Sequence, residues 1–275
     1  MINIAFWNIH NNENIINTLQ EFIVEYNCDI VVLAETGNID LQFFCDLLSL
    51  KNKDFYEVKQ IAYVDARIKI IADKSLRFQC IRDGIYYSIF NIEYFEKEFL
   101  LTSIHLQSKT NAQEKDQSAV VRNIVKVIQE TEKETQNKNT IIIGDFNANP
   151  FESVCIDADC FHAIPNAEIS KKMKRTVNYI EYEMFYNPMW NFFGDKNAPY
   201  GTYHYNSSKI QNFYWNIFDQ VMFRPNMLNS VDLNSLKIIT SIGDKSLLNR
   251  NGIPNKTKFS DHLPIYFTLK EENLK

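Results

Sequence analysis

Hydrophobic and polar positions alternate at the start of the chain and then change to a helical period. Residues 2 to 7 alternate and predict a strand, and the asparagines that follow predict the cap of a helix over residues 13 to 26. Residues 29 to 34 are almost all apolar and predict a buried strand that stops at Glu35. A crossover helix returns the chain to the same edge of a sheet, so we expect Asn8 and Glu35 to lie side by side.

The chain from residue 39 to residue 134 holds two further helices with a β-rich stretch between them. The pattern predicts helices over residues 39 to 50 and 113 to 134. Between them it predicts five strands at hairpin spacing, over residues 54–58, 66–72, 76–81, 85–92 and 98–106. The last of these strands carries His105 at its end.

The strongest local signal is the stretch from Ile141 to Pro150. Three isoleucines predict a short buried strand, Gly144 permits a sharp turn, and Asp145 and Asn147 follow two positions apart. Because side chains repeat every second residue along a strand, we expect both polar groups to leave on one side. An isolated Asp-x-Asn is more often a turn that bonds its own backbone, but the polar strand ends elsewhere in the chain favour a functional interpretation here.

The second half of the chain is aromatic and less regular. We expect residues 151 to 200 to be irregular, and they contain the one dense basic run, Lys171 to Arg175, which is either a solvated loop or a contact for a phosphate backbone. Strands are predicted over residues 213–223, 236–241 and 265–269. Because residues 1–135 and 136–275 have similar make-up, we expect two sheets packed face to face with helices outside.

Composition narrows the class of protein. Only seven glycines and seven prolines in 275 residues argue against linkers and repeats, so we assign residues 1–275 to one domain. We find no apolar segment long enough to span a bilayer, no signal peptide, and five cysteines without Cys-x-x-Cys spacing, which together favour a cytoplasmic protein with reduced thiols. Since the net charge is −5, a nucleic-acid partner would need a local basic patch or a bound metal ion.

Several predicted strands end on a side chain that can hold a hard cation, a phosphate oxygen or a proton. These residues are Asn8, Glu35, His105, Asp145, Asn147, Asp219, Asp261 and His262. Strand ends share a rim in α/β sheets, and oxygen ligands favour Mg²⁺ or Mn²⁺ over zinc. Glu35 is our first choice as a metal ligand, because the sequence shows no neighbouring cation to pair with it. Asp219 is the expected partner of His262, since an unpaired Asp in an apolar strand would be costly.

The order of these motifs resembles the endonuclease/exonuclease/phosphatase superfamily. The resemblance rests on Phe6-Trp7-Asn8, Ala34-Glu35-Thr36, Thr102-Ser103-Ile104-His105-Leu106, Gly144-Asp145-Phe146-Asn147-Ala148, Phe218-Asp219-Gln220-Val221 and Ser260-Asp261-His262-Leu263-Pro264. It implies an α/β fold of the DNase I type, a four-layer α/β/β/α sandwich of two mainly antiparallel or mixed sheets. It also implies hydrolysis of phosphoesters with a divalent metal.

The resemblance further implies how a metal and a phosphate would be held. Glu35 would bind Mg²⁺ or Mn²⁺, assisted by Asn8 and Asp261, and Asn147 would hold a phosphate oxygen. His10 stands where abasic-site members of the superfamily carry an Asp.

It implies the proton-transfer groups as well. Asp145 would orient or deprotonate the attacking water, and His262, supported by Asp219, would stabilise the pentacoordinate phosphorus or protonate the leaving oxygen. His105 would be a second phosphate ligand or acid, and its type favours DNase-like or sphingomyelinase-like members over abasic-site enzymes. For the carboxylate partner of His105 the candidates are Asp73 and Asp83.

Three functions are compatible with these residues. The leading hypothesis is a metal-dependent nuclease, with DNA preferred to RNA as the substrate, and aromatic residues could stack on its bases. Those residues are Tyr179, Tyr182, Tyr186, Trp190, Tyr203 and Trp215. The second hypothesis is a phosphatase or phosphodiesterase acting on a phosphoinositide, a sphingolipid or a nucleotide. The third is a catalytically inactive binding module.

Overall fold

The computed structural model describes residues 1–61, 67–109, 114–196, 198–208 and 210–274. Its strands are β1 (Ile2–Asn8), β2 (Ile30–Ala34), β3 (Phe55–Glu57), β4 (Ile68–Asp73), β5 (Arg77–Asp83), β6 (Tyr87–Tyr94), β7 (Lys97–His105), β8 (Thr140–Asp145), β9 (Ala163–Ile164), β10 (Lys174–Val177), β11 (Ile180–Glu183), β12 (Phe185–Tyr186), β13 (Tyr203–Tyr205), β14 (Tyr214–Asn216), β15 (Asp219–Phe223), β16 (Val231–Ile238), β17 (Ser241–Ile242), β18 (Lys245–Ser246) and β19 (Ile265–Leu269). Its α-helices are α1 (Ile16–Glu25), α2 (Leu41–Ser49), α3 (Glu114–Glu134), α4 (Ser153–Ile156) and α5 (Ala167–Ser170). Short 3₁₀ helices cover Glu13–Ile15, Pro188–Phe192, Pro225–Met227 and Glu271–Asn273.

Two large mixed sheets carry the fold. The first has six strands in the order β16-β19-β1-β2-β4-β3, and the second has seven in the order β5-β6-β7-β8-β15-β12-β9. β1 runs parallel to β2 and β7 runs parallel to β8, whereas β15 is antiparallel to β8. Each sheet takes strands from both halves of the chain, so the expected division near residue 135 does not separate the sheets.

Side chains that alternate between the two faces of a strand contact different layers of the fold. In β1, Trp7 packs its ring edge on Phe22 of α1, while the next residue, Asn8, reaches Asp145 of the second sheet. In β8, Ile143 joins the core shared with the first sheet, whereas Ile142 joins the core under α3. Helices therefore cover the outer faces of two facing sheets, which confirms the predicted four-layer α/β/β/α sandwich.

The predicted long helices and the closing strand agree with the structure. The helix expected over residues 13 to 26 forms as a 3₁₀ turn followed by α1, and Asn12 caps it by accepting from the Asn14 N–H. The five hairpin-spaced strands are β3 to β7, and the closing strand is β19. Residues 66 and 113, the predicted starts of a strand and of a helix, lie outside the described residues. No helix in the described part of the chain is long and apolar enough to cross a membrane.

Two predictions in the second half are wrong. Residues 151 to 200 are not irregular throughout, since β9 and β12 extend the second sheet and β10 pairs with β11 in a hairpin. The strand expected over residues 213 to 223 is two strands, β14 and β15, in different sheets. It breaks because side-chain oxygens take over the backbone donors: Asn149 Oδ1 accepts from Ile217 N, and Thr202 Oγ1 accepts from Phe218 N and Asp219 N.

Gly144 has a steric reason to be a glycine. Its φ is +153°, and a Cβ at this position would lie 1.8 Å from the carbonyl oxygen of Ile104 on the neighbouring strand. Ile104 and Gly144 are register partners, and the next pair along the strands is His105 and Asp145. The close approach of β7 and β8 therefore sets the spacing of two predicted site residues.

Candidate active site

The predicted site residues meet where strands of both sheets end. Asn8 ends β1, His105 ends β7 and Asp145 ends β8, while Asp219 begins β15 directly opposite Asp145. Parallel pairing of β1 with β2 places Asn8 beside Ala34, the residue before Glu35. The side-by-side position predicted for Asn8 and Glu35 is thus confirmed.

Asn8 connects the two sheets through its amide group. Its Nδ2 donates to Glu35 Oε1 at 3.2 Å and to Asp145 Oδ2 at 3.0 Å, and its Oδ1 accepts from the His10 N–H at 3.1 Å. Asn8 is buried and its bond to Asp145 is shielded from solvent, whereas its bond to Glu35 is only partly buried. One amide nitrogen therefore stands between two carboxylates that would otherwise repel each other.

His262 and Asp219 form a buried pair. The Nδ1 atom of His262 lies 2.8 Å from Asp219 Oδ2 and 3.0 Å from Oδ1, which is the contact that the sequence predicted. The opposite ring nitrogen, Nε2, lies 4.0 Å from Asp145 Oδ2. Asp219 thus orients the imidazole so that its other nitrogen faces the end of β8.

Electrostatics keep a proton on this imidazole. Burial lowers the pKa of His262, but the nearby carboxylates, Asp219 first and then Asp145, outweigh it and raise the pKa to about 10. Burial raises the pKa of Asp145, an effect that His262 opposes. At neutral pH the arrangement is a buried imidazolium between two carboxyl groups, able to give a proton or to face developing negative charge.

Backbone contacts fix the loop that carries His262. Ser260 Oγ donates to the Asn8 carbonyl at 2.6 Å and accepts from the His262 N–H at 3.0 Å, and Trp7 Nε1 donates to the His262 carbonyl at 3.0 Å. Thr202 accepts from the Asp219 N–H, and its own carbonyl accepts from Leu263 N. Thr202 is not among the residues predicted for the site, and its sequence signal is no more than a small polar residue after a glycine.

His105 faces two carboxylates rather than the partners considered for it. Its Nε2 lies 3.7 Å from Glu35 Oε1 and 3.7 Å from Asp145 Oδ2, while its buried Nδ1 has no hydrogen-bond partner among the described residues. Asp73 accepts from Ser75 N, and Asp83 accepts from Ile61 N. Asp73 and Asp83 were therefore wrong candidates for the partner of His105. Each of these carboxylates instead accepts a backbone N–H in a loop of its own region.

Glu35 also has a second imidazole neighbour, His10, that its sequence position did not reveal. His10 Nδ1 lies 3.6 Å from Glu35 Oε2, on the side away from His105. The same His10 atom lies 3.2 Å from Asp261 Oδ1, and Lys256 Nζ lies 3.2 Å from Asp261 Oδ2. The expectation that Glu35 has no neighbouring cation stays a prediction, since the two side chains beside it are imidazoles and Lys256 is paired with Asp261. Lys256 has no local sequence signal.

Asn147 lies in the turn after β8 rather than on the strand. Its φ is +48°, its N–H donates to Asp145 Oδ1 at 2.8 Å, and its Nδ2 donates to the Leu106 carbonyl at 3.0 Å. Asp145 and Asn147 do not follow the predicted period of two, because the strand ends at Asp145. One oxygen of Asp145 closes this turn, which leaves Oδ2 facing Asn8 and the two imidazoles.

Two clusters of the described residues have ligand atoms that all lie within 4.8 Å of one another. They are Asp145 with Asp219 and His262, and Asp157 with Asp159 and Cys160. The first is accounted for by the bond between His262 and Asp219. In the second, Asp159 is bound by the Arg122 guanidinium at 2.6 Å.

The basic run lies far from these strand ends. Lys174 lines a polar cavity with Glu132 and Asn139, at the opposite end of β8 from Asp145. Lys174 pairs with Glu181, and Lys171 pairs with Glu168. This position favours a solvated surface segment over a phosphate contact, although Lys174 and Arg175 belong to strand β10 rather than to a loop.

Of the aromatic residues considered for base stacking, Tyr203 is the one beside His262. The two rings lie 4.7 Å apart, and Tyr203 also stacks on Phe218 at 5.2 Å and on Tyr205 at 6.4 Å, with planes within 23° of parallel. Tyr205 is half exposed. We call Tyr203, Tyr205 and Phe218 the aromatic stack. Tyr186, by contrast, is buried in the core.

Solved structures of known proteins share this architecture. The catalytic domain of human Nocturnin, with bound sulfate, matches with a TM-score of 0.60 and 15% identity over 98% of this chain and 93% of that one. The endonuclease domain of TRAS1, a telomere-specific non-LTR retrotransposon, matches with a TM-score of 0.57 and 11% identity over 98% and 99%. TDP2 of D. rerio, complexed with a single-strand DNA product, matches with a TM-score of 0.53 and 19% identity over 98% of both chains.

No protein-family model and no curated protein sequence matches the chain. The three structural neighbours are members of the endonuclease/exonuclease/phosphatase superfamily. Their likeness shows that this chain has the DNase I-like fold, as the sequence motifs implied.

Proposed function

We propose that the chain is a divalent-metal-dependent phosphodiesterase that cleaves nucleic acid, with DNA preferred to RNA. The observation that carries the proposal is the convergence of Glu35, Asp145 and the His262–Asp219 pair on one rim, from strands and loops far apart in sequence. A structural salt-bridge network would not need an imidazole held with its free nitrogen toward a second, separate carboxylate.

The rim fits a hard divalent cation. Glu35, Asn8 and Asp261 offer oxygen atoms, the ligand type that Mg²⁺ and Mn²⁺ take, and Asp261 Oδ1 is buried without a hydrogen-bond partner among the described residues. Glu35 would hold the ion, assisted by Asn8 and Asp261. When bound, such an ion neutralises charge on phosphate oxygens and makes phosphorus easier to attack.

The proton transfers are assigned to the two buried groups that face each other. Asp145 takes a proton from the water that attacks phosphorus, a role for which a raised carboxyl pKa is suited. His262 gives its proton to the leaving oxygen as the P–O bond breaks, and Asp219 holds the ring for that transfer. His105 faces Glu35 and Asp145 and is placed to contact a phosphate oxygen, as is Asn147 at the turn.

Support for a nucleic-acid substrate comes from the aromatic stack. Its rings lead outward from His262, so a base next to the scissile phosphate could continue the stack. The DNase I-like neighbour TDP2 was crystallised with a single-strand DNA product, which points to the same class of substrate. The basic run contributes nothing to this proposal because of its distance from the rim.

A substrate panel tests the proposal. The purified protein is incubated with single-stranded DNA, duplex DNA, RNA and phosphoinositide or sphingomyelin vesicles, each with Mg²⁺, Mn²⁺ or EDTA. We expect cleavage of DNA that EDTA abolishes, and loss of cleavage in Asp145→Ala and His262→Ala with the circular dichroism spectrum retained.

A matched control is Lys172→Ala, in the basic run, which we expect to leave cleavage unchanged. Turnover of the lipid substrates alone would contradict the nuclease proposal and support a phosphatase or phosphodiesterase. Binding of nucleic acid without any turnover, in wild type as in the variants, would support the inactive binding module instead.

A further inference from the structure

His10 occupies an unusual place for an imidazole. It lies in the loop after β1 with φ +51°, next to Asn11 at +52°, and this loop wraps around the end of β2, where Glu35 also has φ +51°. Non-glycine residues adopt this conformation at a cost, which the surrounding structure must offset. The Asn8 side chain holds the His10 backbone in place by accepting its N–H.

The imidazole of His10 points its Nδ1 between two carboxylates. That atom lies 3.2 Å from Asp261 Oδ1 and 3.6 Å from Glu35 Oε2. The contact with Asp261 is not a hydrogen bond, since Asp261 Oδ1 has no hydrogen-bond partner among the described residues although it is shielded from solvent. The contact with Glu35 is too long for one, and Glu35 Oε2 accepts from Asn11 Nδ2 instead. The observed contacts therefore leave Asp261 Oδ1 unsatisfied. A buried carboxylate oxygen without a donor lowers the stability of the fold.

Atoms at these distances can be neighbouring ligands of one ion as well as members of a salt bridge. Neighbouring ligands around an octahedral ion with bonds of about 2.1 Å lie roughly 3 Å apart. His10 Nδ1, Asp261 and Glu35 are not among the groups whose atoms all lie within 4.8 Å of one another. His10 Nδ1 lies within 3.6 Å of an oxygen of each carboxylate, so it would be available as a ligand to an ion that either of them holds.

We propose that His10 is a nitrogen ligand of the cation that Glu35 and Asp261 hold, and that it makes the site prefer Mn²⁺ or Co²⁺ to Mg²⁺. Imidazole suits first-row transition metals, whereas Mg²⁺ takes oxygen ligands and keeps its waters. This inference rests on the proposed function for the existence of a cation site, and it goes further by naming a ligand and a selectivity.

The test measures metal binding without substrate. Mn²⁺ affinity of the metal-free protein is determined by EPR of the free ion, Mg²⁺ affinity by competition against Mn²⁺, and directly bound imidazole by the nitrogen coupling in pulsed EPR of the Mn²⁺ form. The variants are His10→Asn and His10→Asp, because Asn and Asp tolerate a positive φ and should leave the loop intact. The matched control is His204→Asn, an imidazole that contacts Trp215 and Tyr214 rather than the carboxylates.

We expect wild type to bind Mn²⁺ at least tenfold more tightly than Mg²⁺, and both His10 variants to reduce that ratio about tenfold. The nitrogen coupling should disappear in the His10 variants and persist in His204→Asn and in His105→Asn. Unchanged selectivity with the coupling retained in His10→Asn would overturn the inference while leaving the cation site in place. Failure of wild type to bind either ion would overturn the proposed function together with the inference.

Discussion

Replacing Gly144 by alanine tests the strand spacing on which the site depends. A Cβ at residue 144 would lie 1.8 Å from the Ile104 carbonyl oxygen, 2.8 Å from its carbon and 2.9 Å from its nitrogen. These are backbone atoms of a buried neighbouring strand, so they cannot turn aside as the end of a flexible side chain would. β7 and β8 must separate locally or the backbone of residue 144 must change.

The magnitude follows from two costs. Holding an L-residue at a φ of +153° costs about 1–3 kcal/mol, and forcing extra volume into a packed interior costs about 1–3 kcal/mol. We therefore expect the free energy of unfolding to fall by roughly 2–6 kcal/mol. Because the next residues are His105 and Asp145, a displacement of about 1 Å should also lower the rate of cleavage around 100-fold.

Urea unfolding followed by circular dichroism measures the stability loss, and Gly252→Ala is the matched control. Gly252 has a φ of +74° with no atom within 4 Å of the added Cβ, so its replacement carries conformational strain without a clash and should cost about 1–2 kcal/mol. If Gly144→Ala loses no more stability than Gly252→Ala, the steric account of the β7–β8 approach is wrong.

Three further predictions concern the rim. His262→Asn leaves Asp219 buried without its partner and should cost about 3–5 kcal/mol at pH 6. The folded-state pKa of His262 is raised to about 10, so the stability that its charge contributes is complete below the unfolded pKa near 6.5 and is lost as the pH rises toward 10. Urea titrations should therefore show a smaller loss for His262→Asn at pH 10 than at pH 6. Equal losses at the two pH values would contradict the raised pKa. Asp219→Asn should lower kcat about 10²–10⁴-fold with an unchanged far-ultraviolet spectrum, and steady-state kinetics with near-normal kcat would remove its orienting role. Tyr205→Ala should weaken binding of a single-stranded oligonucleotide, measured by fluorescence anisotropy, by about 1–3 kcal/mol. Tyr179 is fully exposed near the basic run, and Tyr179→Ala should leave this binding unchanged. The reverse pattern would place the binding surface at the basic run.

Local sequence patterns were sufficient where neighbours in the chain are neighbours in the fold. Strands β1 and β2 are joined by the single helix α1, so the hydrophobic pattern of these three elements and the polar residues that follow the two strands predict that Asn8 and Glu35 meet. The strand from Thr140 to Asp145 is apolar enough to be read directly, and the pairing of Asp219 with His262 follows from the cost of an unpaired buried carboxylate.

The parts that sequence could not predict depend on long-range contacts. The break between β14 and β15 is caused by Asn149 and Thr202, which are distant in the chain and reveal nothing of their partners. The positions of His10 and Lys256 beside Asp261 follow from the return of the chain to the rim, which has no local signal. The assignment of residues 1–275 to a single domain and the catalytic roles of the site residues stay predictions.

The most direct test of the central claim is an anomalous-scattering experiment on crystals that contain Mn²⁺ and a short single-stranded DNA with a non-hydrolysable phosphate. We predict a manganese peak at Glu35 and a phosphate group between that ion and His262, within reach of Asp145. A manganese peak at Asp157 and Asp159, or a phosphate bound away from His262, would contradict the account.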